Sequence, residues 1–201
     1  MNPLYFIGRC LLMPIYKLMF FYKVKGRENV PKKGAYIMCS NHLSNHDPIM
    51  LGVCFPRQIY YMAKAELFRN PIGGQIIRWL GAFPVNRGAG DGKAINEAEE
   101  VVKKGRLLGI FIEGTRSKTG EFLRPKSGAA IVAHQMNVPI IPVCITPKDK
   151  TIKIFKKVTV SIGKPMTPEE LGLAKGTPEE FRNASRMVMA EIKKMRENEL
   201  K

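Results

Sequence analysis

Paired cysteines, metal-ligand spacings and flexible linkers are all missing from this sequence. The four cysteines, Cys10, Cys39, Cys54 and Cys144, lie singly in apolar segments, without the density of a disulfide scaffold or the paired spacing of a zinc site. That pattern reads as reduced core thiols in the cytoplasm. No Gly/Ser-rich tract, low-complexity run or internal repeat divides the chain, so no domain boundary is expected beyond about residue 25. Acidic residues are scarce as well: 17 Asp and Glu stand against 33 Lys and Arg, a formal net charge of +16. Such an excess favours an anionic partner, whether nucleic acid, an acidic membrane surface or a phosphorylated substrate.

A membrane-spanning run is also lacking. The opening segment "MNPLYFIGRCLLMPIYKLMFFYKVKG" is strongly apolar, yet Arg9, Pro14 and Lys17 interrupt it short of the roughly 20 apolar residues that a spanning helix needs. No small-residue cleavage site follows it, which argues against a secretory signal. Arg9, Lys17, Lys23, Lys25 and Arg27 among Leu, Phe, Met and Tyr is the composition of an amphipathic segment lying in the interface of an anionic membrane. A buried packing helix shares much of that composition. The expectation is a membrane-interfacial helical segment over residues 1–24 and one domain over 25–201, peripheral or monotopic at the cytoplasmic face of the cell membrane.

What is present is enough for one compact core, since 45% of the 201 residues are hydrophobic. The short runs "AYIMCS", "QIYYMA", "GAFPV", "LLGIFI" and "PIIPVCI" read as buried strands bounded by Gly, Pro or Asn. Between them "DGKAINEAEEVVKKG" and "KSGAAIVAHQMN" have helical spacing. "KIFKKVTVSIGKP" is expected to add strands at the sheet edge with its lysines facing water. A capping box from Thr177 to Glu180, with Pro178 at the first helical position, opens a closing helix. The alternation predicts a single α/β domain with a mostly parallel central sheet flanked by helices.

Open sheets of this kind bind ligands at the carboxyl ends of their strands, and "CSNHLSNHDPIM" sits there. Asp47 before Pro48 reads as a helix cap satisfying backbone amides. It also reads as the partner of His42, its carboxylate fixing one imidazole nitrogen so that the other can take a proton from an alcohol. A third reading makes His42, His46 and Asp47 metal ligands, but Pro48 starts the helix after both histidines and no distant Cys or His cluster completes a shell. No serine or cysteine has a nucleophile-elbow setting, so direct attack by a bound hydroxyl is the simpler scheme. Lys64, Arg87 and the run Glu113, Gly114, Thr115, Arg116 follow three other strands. Cations gathered on one rim suit a phosphomonoester. A basic module for nucleic acid or acidic membranes would instead cluster Lys and Arg with exposed stacking aromatics, whereas the aromatics here sit mostly in apolar runs.

"NHLSNHDP", "GAFPVNR", "FIEGTRS" and "VPIIPV" resemble the four ordered motifs of the glycerolipid acyltransferases, most like the bacterial 1-acylglycerol-3-phosphate acyltransferases. The likeness runs from about residue 24 to residue 165. It implies a glycerol-3-phosphate acyltransferase-like fold, with His42 as general base and Asp47 as its partner. Lys64, Arg87, Glu113, Gly114, Thr115 and Arg116 are implied to bind or orient the phosphorylated acceptor, and Pro142 to lie in a strand supporting the acyl-donor side. The reaction implied is acyl transfer from a thioester, on coenzyme A or acyl carrier protein, to lysophosphatidic acid in phospholipid biosynthesis. No metal, cofactor or nucleic acid takes part in it. Related acceptors, such as glycerol 3-phosphate or another lysolipid, and a non-catalytic binding module are the alternatives. Ile112 and Asn86 depart from the motif pattern and bear on substrate preference.

Overall fold

In the computed structural model the described residues are 2–85 and 91–201. They form a seven-stranded sheet with helices on both faces, in the order β1-β7-β6-β2-β5-β3-β4. The strands are β1 (Lys23–Lys25), β2 (Tyr36–Ser40), β3 (Ile59–Lys64), β4 (Ala82–Val85), β5 (Leu107–Phe111), β6 (Ile140–Pro147) and β7 (Val158–Ile162). The helices are α1 (Pro3–Phe20), α2 (Asp47–Cys54), α3 (Pro71–Trp79), α4 (Asp91–Lys103), α5 (Gly128–Met136) and α6 (Pro178–Leu200). Every strand pairing is parallel except that of β6 with β7.

The expected strands stand at β2 to β6, and in β2, β5 and β6 the residues are buried alternately on two faces. Ile37, Cys39 and Leu108 turn to a core shared with α4, α5 and α6, whereas Met38, Ile59 and Ile141 turn to one shared with α1 and α2. Runs with no polar side are what two-sided burial demands. The closing helix opens on the expected capping box, with both reciprocal bonds between Thr177 and Glu180.

Three expectations are corrected. β7 is not an edge strand, because β1 pairs in parallel with its outer side. The lysine-rich "KIFKK" precedes β7 as a loop, leaving the strand itself fully buried. Cys39, Cys54 and Cys144 are buried thiols, but Cys10 is exposed on α1. Burial pushes the Cys39 and Cys144 thiols up, and takes that of Cys54 up to about 12.

Helix α1 is capped by Asn2, whose side chain accepts the Leu4 N–H at 3.0 Å. It runs antiparallel to α2: Tyr5 Oη donates to Gly52 O at 3.2 Å, and Tyr16 Oη meets His46 Nδ1 at 3.1 Å at the other end. Tyr5, Tyr16 and Phe20 are buried. The opposite side exposes Leu4, Ile7, Leu11, Ile15 and Leu18, with Phe6 on the flank and Phe21 just beyond the helix also exposed. No helix among the described residues is long and apolar enough to cross a membrane.

Candidate active site

Asn41, fully buried after the last residue of β2, fixes the root of the first loop. Its Nδ2 donates to Ile145 O at 3.0 Å and its Oδ1 accepts the Ile145 N–H at 2.8 Å. The side-chain amide thus imitates a strand partner and ties the loop to β6. His42 follows on the carboxyl edge of the sheet.

His42 Nδ1 lies 2.7 Å from Asp47 Oδ2. The same oxygen accepts the N–H of Leu43 at 2.6 Å and of Ser44 at 2.8 Å. The carboxylate therefore reaches back along the loop instead of forward into α2, whose cap position belongs to His46 and has no side-chain cap. Both readings of Asp47 meet in one oxygen: it satisfies backbone amides and holds the imidazole. The hydrogen-bond network assigns the proton to Nδ1. Nε2 then keeps its lone pair, unbonded among the described residues, on a side chain that lines the cleft. Asp47 is wholly buried, while the His42 side chain keeps 14% exposure.

Packing sets the ring plane. His42 stacks on Phe111 with ring centroids 3.8 Å apart and planes 14° from parallel, and Phe111 stacks in turn on Tyr61 at 5.9 Å. Gly109 makes the stack possible, since a Cβ there would come within 2.5 Å of the Tyr61 ring. On the backbone, His42 O accepts the Ser117 N–H at 2.8 Å and His42 N donates to Glu113 Oε2 at 3.3 Å.

The other sequence-marked residues divide into two groups. Lys64, Thr115 and Arg116 line one cleft with His42, a cavity of about 610 Å³. Its apolar lining includes Tyr5, Leu12, Ile49, Ile77 and Leu80. Arg116 Nη1 donates to Asn45 Oδ1 at 2.8 Å, which steadies an otherwise exposed guanidinium. Glu113 instead points inward. It is buried, accepts the N–H of Leu123 at 3.1 Å as well as that of His42, and burial raises its carboxyl above the usual range. Gly114 takes the left-handed turn after it, with φ 70°, a conformation that favours glycine. Pro142 lies in buried β6, opposite Cys39 of β2. Arg87 and Asn86 lie outside the described residues. His46 turns to α1 through Tyr16 and packs against Phe20. No group of three His, Cys, Asp or Glu side chains that could hold a metal occurs among the described residues.

Sequence reasoning passed over Asn41, Phe111, Tyr61 and Arg196. Arg196, on the last turns of α6, donates from Nη1 to Gly120 O at 2.7 Å and lies 3.8 Å above the Phe122 ring. It braces the loop that carries Glu113 and Arg116. Nothing local marks it, because the contact spans 76 residues. Asn41 did carry a signal, a buried-type strand ending in a side chain that can both donate and accept.

The chain resembles known proteins in both sequence and shape. The Acyltransferase family profile matches residues 21–146. A 1-acyl-sn-glycerol-3-phosphate acyltransferase of Bacillus subtilis is 35% identical over 147 residues, which cover 72% of this chain and 73% of that protein. One from Saccharomyces cerevisiae is 36% identical over 160 residues, covering 74% of this chain and 52% of the yeast protein. The crystal structure of the 1-acyl-sn-glycerophosphate acyltransferase of Thermotoga maritima superposes with a TM-score of 0.73 at 28% identity, over 96% of this chain and 81% of that one. With the matched segment running from β1 through the His42 loop and the Glu113–Arg116 turn into β6, the chain belongs to the acyltransferase family.

Proposed function

We propose that this protein transfers a fatty acyl group from a thioester to the sn-2 hydroxyl of lysophosphatidic acid, giving phosphatidic acid in phospholipid biosynthesis. The observation that carries the reading is the 2.7 Å His42–Asp47 pair opening on a cleft that is apolar within and cationic at its rim. The names of the similar proteins support the same acceptor. In the reaction, His42 Nε2 takes the proton of the acceptor hydroxyl as its oxygen attacks the thioester carbonyl. Asp47 holds the imidazole in place and stabilises its charged form. The tetrahedral intermediate collapses, the C–S bond breaks, and the proton leaves with the thiolate. No enzyme-bound acyl group is required. Lys64 and Arg116 receive the acceptor phosphate, with Arg87 as a third cation, and the apolar wall takes acyl chain. Glu113 and Gly114 shape the turn that presents Arg116.

The substrates live in a bilayer, and α1 is suited to meet it. Its exposed Leu and Ile side chains lie opposite the buried Tyr5, Tyr16 and Phe20, and the net charge of +16 favours the anionic cytoplasmic leaflet. The donor is an acyl thioester of coenzyme A or of acyl carrier protein. The test is thiol release coupled to phosphatidic acid formation, with purified protein, acyl-coenzyme A or acyl carrier protein thioester, and lysophosphatidic acid in vesicles. Thiol release that does not depend on the acceptor, or none with either donor, rejects the reading.

A further inference from the structure

The loop between β6 and β7, residues 148–157, lies beside the exposed end of α1 without belonging to the cleft. Because β6 runs parallel to β2, the loop leaves the sheet on the same edge as His42. It is closed by the Lys148 N–H donating to Lys157 O at 2.9 Å. It is also tied to α1, with the Phe155 N–H donating to Met19 O at 2.6 Å. Ile152 packs inward against the α1 side of the core. Ile154 and Phe155 do the opposite, with 50% and 66% of their surface exposed. Next to them, Leu18 on α1 and Phe21 just after it are 67% and 50% exposed. Lys153, Lys156 and Lys157 flank the pair and are exposed as well.

Phe155 is held at φ 61°, where a bulky side chain is strained and glycine or asparagine would sit at ease. Its ring has no burial inside the protein to offset that strain. Two exposed apolar side chains ringed by lysines match an anionic lipid interface, with apolar tips below the headgroups and ammonium groups among them. We propose that this loop is a second lipid-contacting element, inserting Ile154 and Phe155 into the same anionic membrane that α1 lies on. The two elements, joined by the Phe155–Met19 bond, then fix together how the His42 edge of the sheet faces the bilayer. The inference rests on the reading of α1 as a membrane-facing helix.

The test uses the full chain in a Trp79→Phe background, so that one tryptophan at a time reports. Leu18→Trp and Phe155→Trp variants are mixed with phosphatidylglycerol vesicles carrying brominated acyl chains, which quench only on contact. Quenching of both is the expected result. Quenching at position 18 but not at 155 overturns the loop contact and leaves α1 standing. Absence of quenching at both sites overturns both readings. Quenching at 155 alone overturns the proposal as stated, because the loop would then meet lipid without α1. A blue-shifted emission from the Phe155→Trp variant before any vesicle is added, together with a dimer mass, would mean that a second copy covers the loop, which also overturns the proposal. Phe155→Gly gives an independent arm. It should keep or raise the Tm while weakening vesicle binding about tenfold, and unchanged binding would count against insertion. Replacing Lys153, Lys156 and Lys157 with Gln should weaken binding to phosphatidylglycerol vesicles and leave phosphatidylcholine binding as it was; equal effects on both lipids would overturn the electrostatic half.

Discussion

The Tyr16 hydroxyl lies 3.1 Å from His46 Nδ1, so the second histidine of "NHLSNHD" is held by α1 and not by the carboxylate that holds the first. Two histidines four residues apart in one loop thereby have separate work. Tyr16→Phe leaves a half-buried imidazole nitrogen without its partner, a loss of about 1 kcal/mol. The Tm should fall by about 2–4 °C, with kcat changed only a few fold. His46→Ala should likewise keep activity within about tenfold. A His46→Ala variant as inactive as His42→Ala would show that the base is assigned to the wrong histidine.

His42→Ala should lower kcat by about the 10²- to 10⁴-fold that a positioned general base supplies, with native melting retained. Asp47→Asn is expected to be nearly as severe. Its carbonyl can still accept from Leu43 and Ser44, so the loop keeps its shape, but the imidazolium loses its counter-charge. The new amide NH₂ would occupy the place of Oδ1, which is buried without a partner, and some stability should go with it. Acceptor-dependent thiol release by the native protein and both variants, each checked for folding, reads the effect. Full activity in Asp47→Asn would remove the charge from the mechanism.

Arg116→Ala should damage acceptor use far more than donor use. Losing a charge-assisted bond to phosphate costs about 1.5–3 kcal/mol, or roughly tenfold to a hundredfold in kcat/KM for the acceptor. Arg116→Lys should recover part of it, because the forked guanidinium is gone. Arg116 also donates to Asn45 Oδ1, so an equal loss toward both substrates would mean that it serves the loop alone.

Glu113 makes a prediction about pH. Burial, the main cause, raises its carboxyl above the ordinary value of 4.5, against the bonds from Leu123 and His42 and the nearby charge of Arg196. A raised acid favours the protonated folded form. Its contribution to stability is therefore full below about pH 4.5 and is lost as pH rises through the folded value. Melting curves of the native protein minus those of Glu113→Gln should show that difference shrinking from acid toward neutral pH. A difference that grows over the same window would mean the carboxylate is held ionised, with Arg196 outweighing burial.

The strands around the site were legible because burial on both faces leaves an apolar run that periodicity cannot miss. β1 was not: Lys23–Lys25 has charge at both ends, and only its pairing with Thr159–Ser161 makes it a strand. Helix α3 hid behind Gly73 and Gly74, although Asn70 caps it and Pro71 starts it; Gly74 is there because a Cβ would meet Phe68 O at 2.8 Å. In the site, the His42–Asp47 spacing could be read from the chain, since a five-residue turn is local. The stack of Tyr61, Phe111 and His42 and the brace from Arg196 join distant strands and helices, and no local pattern encodes them. The inward turn of Glu113 belongs with these, because a charged residue in a loop ordinarily faces water.

The pairing of β1 with β7 also sets an order of events during synthesis. Asn29, just after β1, bonds Ile162 O across 133 residues of chain, which at translation rates of about 5–20 residues per second takes roughly 7 to 27 s to emerge. For that time β1 exists without the strand that receives it, and Phe20 and Tyr22 have no finished core to enter. Helix α1 can meet α2 soon after both are made, but the core beneath its Phe20 end stays open until β7 arrives. Truncation anywhere before residue 158 therefore leaves β1 without its strand partner and the Phe20 end of α1 over an unfinished core.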